Sequence, residues 1–311
     1  MRVLSKSSRR RASVFFVSSL LLTATGCDDR DDVALRNDGA RPLLRIGLVP
    51  EQNLFRQKKR YEPLADYLSS SVGARIELAL LTRYGDAIEK LASGDLDGAF
   101  FGSFAGALAQ ERFGVEALVR PERVDGTSTY HGLIFARKDS GIAGSADMRG
   151  KRFVFVDRAT TAGWILPLHY FKEAGIDDYR SWFGETYFAG THDGAIYDVL
   201  EKRADIGAAK STLFEALASK DSRISEDLSI LARSPEVPAN GLFVRRDMDA
   251  SRKDRLKTAL LQMDQDEAGR EVLEGFGAVR FIPTTALDYV EVSKFAESVG
   301  LDLKTYAPEA D

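Results

Sequence analysis

The sequence predicts an α/β protein of two lobes, each a mostly parallel sheet flanked by helices, joined by two extended crossings. Three observations predict it. Short apolar runs of strand length alternate with segments of helical spacing, which is the order of βαβ units. The alternation restarts near residue 132 and is punctuated by Pro235 and Pro238. At 311 residues and 44% hydrophobic content, the chain is long enough to build two cores of ordinary domain size.

Residues 43–49 form an apolar run that Pro50 stops, as it would stop a buried strand. Helical spacing follows over 63–70, then a strand over 74–80, a helix over 84–92, a strand over 98–101 and a helix over 104–112. The second set opens with a strand over 132–136 and a loop at 138–141. A buried strand over 153–156 precedes a helix from about 161 to 173 that stops at Gly175. A strand over 185–188, a helix over 193–201 and a short strand over 205–208 continue the pattern. A last strand over 241–244 leads into helical segments over 250–275 and 286–298. Crossings near 131–137 and 235–243 then define a first lobe of 43–131 and 241–300 and a second of 132–240. Lobes crossed twice by the chain can close like a hinge on a ligand between them.

The first 26 residues have a different character. Arg2, Lys6, Arg9, Arg10 and Arg11 precede an apolar run over 14–22, and small residues over 23–26 lead to Cys27, the only cysteine. That is the order of an export signal, and the run is shorter than the roughly 20 residues a membrane-spanning helix needs. The placement of Cys27 resembles the lipobox of bacterial lipoproteins, which implies acylation of Cys27 and a membrane anchor through lipid alone. An ordinary signal peptide with an incidental cysteine is the alternative. Residues 27–42 carry almost no apolar side chains and read as a flexible tether. The acid after Cys27 resembles an inner-membrane retention signal, so the expected location is the periplasmic face of the cell envelope.

Charge narrows the partners. Setting aside the five cations of residues 1–26, the net charge of -4 becomes -9 for the rest. Such a body repels nucleic-acid backbones. A small anion can still bind, because directed N–H and O–H groups act locally while bulk charge is screened beyond roughly 8 Å. Three scattered histidines and one cysteine offer no metal-ligand spacing, and no Gly-x-Ser-x-Gly elbow or phosphate-binding Walker loop occurs. Neither a metal nor a cofactor is expected, and no catalytic constellation is read.

Two loops carry the chemistry. Thr160-Thr161-Ala162-Gly163 follows a strand and opens a helix, so hydroxyls and free backbone N–H groups converge there on an anion or, in the simpler alternative, cap the helix. Gly190-Thr191-His192-Asp193 opens the next helix of the same lobe. Together with Gly47-Leu48-Val49-Pro50, Tyr61-Glu62-Pro63-Leu64, Tyr84, Gly94-Asp95-Leu96-Asp97-Gly98 and Lys138-Asp139-Ser140-Gly141, these segments resemble, in order, the phosphate, phosphite and phosphonate-binding proteins of ABC importers, the PhnD-like group of periplasmic binding proteins. The resemblance covers about residues 44–290.

It implies a type II binding-protein fold that captures a small oxyanion, without covalent chemistry, and presents it to an ABC permease. By resemblance, Thr160, Thr161, Ala162 and Gly163 form the anion loop, His192 donates to the ligand and Asp193 caps the helix or holds the imidazole. Tyr84 and Tyr130 contact the anion from the opposing side, and Ser103 is a further donor. Lys210 either places a cation near the cleft or, as is commoner, stays exposed at a helix start. The third loop hydroxyl of the family is missing at Ala162, and Thr212 and Asn240 stand where aminophosphonate binders carry acids, which disfavours a ligand with an amine. For His131 and His169 the expectation is a purely structural place. Two other readings share the fold: an oxyanion sensor that signals to a membrane histidine kinase, and an enzyme related to the porphobilinogen-polymerising enzymes, whose cofactor cysteine the mature body lacks.

Overall fold

The computed structural model describes residues 41–308; the leader, Cys27 and nearly all of the tether lie outside the described residues. Strand β1 (Leu43–Leu48) enters helix α1 (Leu54–Ser71), followed by β2 (Arg75–Leu80), α2 (Tyr84–Ser93), β3 (Gly98–Phe101), α3 (Ser103–Phe113) and β4 (Glu116–Glu122). A crossing at β5 (Thr129–Tyr130) leads to β6 (Gly132–Arg137) and β7 (Arg152–Phe155), then a π-helical turn, Thr161–Ile165, that runs into α4 (Leu166–Glu173). The second lobe continues with α5 (Tyr179–Trp182), β8 (Glu185–Phe188), α6 (His192–Leu200), β9 (Ile206–Lys210), α7 (Ser211–Ala218), α8 (Arg223–Asp227) and β10 (Leu228–Arg233). The chain returns through β11 (Val237–Pro238) to β12 (Gly241–Val244), α9 (Ala250–Leu261), α10 (Glu267–Phe276), β13 (Arg280–Pro283) and α11 (Val290–Ser298).

The first lobe is a six-stranded sheet in the order β13-β4-β12-β3-β1-β2, the second a five-stranded sheet in the order β10-β6-β9-β7-β8. β1, β2 and β3 pair in parallel, as do β8, β7 and β9. The strands that carry the chain between lobes, β6 and β12, pair antiparallel with both of their neighbours. A strand arriving from the other lobe enters from the crossing end and so runs against the rest. The crossings themselves pair as a two-stranded ribbon, with Val237 opposite Tyr130 and Pro238 opposite Thr129.

Three local expectations are corrected. Pro63 lies inside α1 rather than at its start. Asn53 accepts hydrogen bonds from the backbone of Phe55 and Arg56, and that cap starts the helix earlier than the proline suggests. The 250–275 segment is two helices, since Asp266 accepts from Gly269 N at 2.7 Å and caps α10 afresh. The 241–244 strand is not the last. Prolines and charges break the apolar pattern of β4 and β13, and β10 is a half-exposed run; β10 and β13 form sheet edges, where exposed strands, and in β13 a proline, are tolerated.

One core cluster packs α1, α9 and α10 on one face of the first sheet. The other face, under α2 and α3, merges with the core of the second lobe into one continuous buried cluster. Ser103 to Ala109 of α3 are all buried, as befits a helix that is apolar on every side. The C-terminal segment adds a third tie between lobes. His169 and Ser298 meet at 3.1 Å, and the Tyr306 ring lies tilted against Phe104 at 5.7 Å while its hydroxyl donates to Arg158 O at 2.9 Å.

Candidate functional site

The cleft forms where parallel strands end and helices begin, the place where open α/β sheets bind ligands. Glu51 follows β1, Ser103 follows β3, Asp157 to Gly163 follow β7, His192 follows β8, and Lys210 ends β9. The lobes meet there directly. His192 N donates to Glu51 O at 3.0 Å, Asn53 N to Asp193 Oδ2 at 3.0 Å, and Phe104 N to Thr161 Oγ1 at 2.8 Å.

Hydroxyls from both lobes form a chain at the inner end. Ser103 Oγ donates to Pro238 O at 2.6 Å, so the partner it meets at 3.2 Å, the Tyr130 hydroxyl, is the donor to it. The Tyr130 hydroxyl also bonds Thr161, and burial, only partly offset by the bonds to Ser103 and Thr161, pushes its pKa up to about 12. Ser103 therefore ties α3 to the hinge and has no proton left for a ligand. Thr160 likewise turns its hydroxyl back to Asp157 O, closing the turn, which leaves the loop's free donors to Thr161 and the backbone. A helical first turn leaves its N–H groups without partners inside the helix, and here Thr161 to Trp164 occupy that turn. Gly163 is required by packing: a Cβ there would lie 2.3 Å from Val156 Cβ.

Tyr84 supplies a further donor. Its hydroxyl is buried and has no hydrogen-bond partner among the described residues. Burial, then the charges of Glu51 and Asp157, raise its pKa well above the ordinary phenol range, so it keeps its proton. Each of the carboxylates around it already has donors. Asp157 takes the N–H groups of Ala159 and Tyr84, and Asp193 those of Asn53 and Gly194.

His192 is buried, and desolvation lowers its pKa to about 4 against the pull of Glu51. The ring is neutral at physiological pH. Its Nδ1 accepts from Lys210 N at 3.3 Å, which assigns the proton to Nε2 and makes that edge a hydrogen-bond donor.

Lys210 is buried, contrary to the usual fate of a helix-start lysine. Its ammonium lies 2.9 Å from Glu51 Oε1 across the cleft, 2.8 Å from Asn240 Oδ1 and 4.4 Å from the centre of the Tyr130 ring. Burial is the largest single influence and raises the Glu51 pKa, but the charge and hydrogen bond of Lys210, together with the other nearby basic groups, outweigh it, and the carboxyl is held below its ordinary value. Beyond Lys210 and Tyr130 opens a cavity of about 480 Å³ that also contains Thr212 and Asn240 in its wall.

The structure thus brings Thr161, Ser103 and Tyr130 into one hydroxyl chain, and joins His192 to Lys210 and Asp193 to the first lobe. Ala162 and Gly163 contribute backbone only. His131 and His169 hold structural places, His131 Nδ1 at 2.7 Å from Ser234 O beside the hinge. Glu51, Asp157 and Arg60 were missed by the sequence reading. The signal for the first two was present: an acid just past the end of an apolar strand, where the crevice opens.

A family model of the periplasmic substrate-binding proteins of phosphonate ABC transporters matches residues 46–289. The phosphate-import protein PhnD of Mycolicibacterium smegmatis is 26% identical over 303 residues, covering 90% of this chain and 93% of its own. The probable phosphite-binding ABC transporter protein PhnD1 of Prochlorococcus marinus is 22% identical over 269 residues, 83% of this chain and 90% of its own. The solved structure of that PhnD1 with methylphosphonate has a TM-score of 0.74 at 20% identity and covers 83% of this chain and 98% of its own, so the type II fold is shared. The family match runs through both lobes and the cleft, and the chain belongs to the periplasmic substrate-binding proteins of phosphonate ABC transporters, extracytoplasmic proteins that deliver a small ligand to a membrane permease.

Proposed function

We propose that the cleft captures a small phosphorus oxyanion without an amine, a phosphonate, phosphite or phosphate, and releases it unchanged to the permease. The observation that carries this is the Tyr84 hydroxyl, a protonated donor buried at the cleft with no partner among the described residues. A buried unpaired donor costs about 1–3 kcal/mol, and a ligand acceptor removes that cost. Neutral His192 offers Nε2–H, and the first turn at Thr161 to Trp164 offers N–H groups. A charged oxygen is a stronger acceptor than a hydroxyl, so Thr161 would turn its proton from Tyr130, and Tyr130 its proton from Ser103, to the anion. None of these donors changes protonation state, which suits binding and release rather than covalent chemistry. The relatives named for phosphite and phosphate import, and the neighbour holding methylphosphonate, support the ligand class. A ligand with an amine is disfavoured, because Thr212 and Asn240 line the cavity where aminophosphonate binders of the family carry acids.

Acylation at Cys27, with residues 27–42 as tether, would hold the protein at the periplasmic face of the inner membrane; a Cys27→Ser chain recovered in the soluble periplasmic fraction supports this, and unchanged membrane retention refutes it. For the ligand, thermal unfolding is measured with each oxyanion. Saturation at about 1,000 times the dissociation constant stabilises by about 4 kcal/mol. Thr161→Ala and His192→Ala each remove most of that gain; full gain in both places the ligand elsewhere.

A further inference from the structure

The cavity beyond Lys210 is larger than a simple phosphonate needs. At about 480 Å³ it falls in the range of about 300–1,000 Å³ that takes organic ligands, not inorganic ions. Its wall carries the cations Arg60, Arg123, Lys210 and Lys220 in a protein body that is otherwise acidic. Two of them are already matched: Arg123 with Asp125 at 3.1 Å, and Lys210 with Glu51. Glu215 is the remaining acid of the wall.

Arg60 differs from the others. Its Nε donates to Phe276 O at 2.8 Å, and its guanidinium lies 4.3 Å from the centre of the Phe276 ring and 5.7 Å from that of Tyr61. The group is therefore held in place, with the Nη donors left over. Among the described residues no carboxylate lies within ion-pair distance of it. A fixed, half-buried guanidinium without a counter-charge is a ready partner for a planar carboxylate, which its fork matches with two parallel hydrogen bonds.

We infer that the ligand has a second anionic end, a carboxylate joined to the phosphorus group by a short linker, and that this end docks on Arg60, the cation of the wall that is held in place without a counter-charge. The inference rests on the proposed function, since the phosphorus group must sit on the donors around Tyr84, Thr161 and His192. It deepens that reading by naming the substrate class as phosphonocarboxylates.

Calorimetry on the whole chain compares methylphosphonate, 3-phosphonopropionate and 2-aminoethylphosphonate. A charge-assisted pair of this kind is expected to make 3-phosphonopropionate bind about tenfold more tightly than methylphosphonate. Arg60→Gln brings the ratio of the two affinities close to one, Arg60→Lys leaves part of it, and added salt shrinks it because the cation is half-exposed. The salt series on the unmodified protein decides the matter even if a variant folds poorly. Equal affinities, a ratio that survives Arg60→Gln, or preference for 2-aminoethylphosphonate overturns the inference. Methylphosphonate binding without any gain from the carboxylate sinks this inference alone, whereas no binding by any of the three sinks the proposed function with it.

Discussion

The inner and outer ends of the cleft use different physics. The inner end offers uncharged donors: the hydroxyls of Tyr84, Tyr130 and Thr161, with a deprotonation-resistant phenol at Tyr130, and an uncharged His192, all buried, while the carboxylates beside them are already held by backbone N–H groups. The outer cavity is charged and open, walled by Arg60, Arg123 and Lys220, none of them buried. Neutral donors held in a low-dielectric pocket keep their strength in salt and across pH, and their geometry selects an anion by shape. Half-exposed cations attract over a longer range but are screened. The Lys210–Glu51 pair stands at the boundary, buried on both sides and joining the two lobes.

Breaking that boundary should have the largest effect. Glu51→Ala leaves the Lys210 ammonium buried without a counter-charge, which costs up to about 3–5 kcal/mol. The lobes can relieve part of this by opening, so denaturant unfolding should show the loss and small-angle scattering a larger radius. The double replacement Glu51→Gln with Lys210→Met should recover most of the stability; if Glu51→Ala alone costs nothing, the pair does not hold the cleft.

The pH response comes next. The His192 pKa is depressed in the folded state, to about 4 from an ordinary 6.5. The unfolded chain therefore binds the proton first, so the His192 contribution to stability is complete above about pH 6.5 and is lost as pH falls from there to about 4. The slope in that window is at most about 1.4 kcal/mol per pH unit. His192→Asn should flatten the stability curve between those limits, and an unchanged curve would show that the ring titrates as in solvent.

The smallest effect belongs to the outer rim. Lys220 is exposed and meets no carboxylate at ion-pair distance among the described residues, so Lys220→Ala should change oxyanion affinity by less than about twofold. A larger loss, read by calorimetry at low and high salt, would mean that the outer cavity contributes more than local contacts.

Parts of this picture were legible from residue order. The buried strands at 98–101 and 153–155 stand out because both faces of each are apolar, that at 43–48 because Arg45 alone interrupts its apolar run, and the anion loop because Thr160-Thr161-Ala162-Gly163 sits between a strand and a helix. The full length of α1 was hidden by Pro63, whose effect on the helix depends on a cap at Asn53 that residue types alone do not rank above it. The π-helical turn was equally invisible, since it differs from an α-helix through the backbone bonds from Ile165 N to Thr160 O and from Leu166 N to Thr161 O.

By itself the sequence determined the two-lobed α/β plan and the family to which the cleft loops belong, because these depend on local periodicity and on short runs of residue types. Only the tertiary structure decided which donors remain free. Thr160 and Ser103 look equivalent to Thr161 in a list of hydroxyls, yet the first closes a turn and the second bonds the hinge strand at Pro238. It also placed Glu51 against Lys210, 159 positions apart in the chain. Hydrogen bonding and desolvation are settled by what lies across the cleft, and no local pattern carries that information.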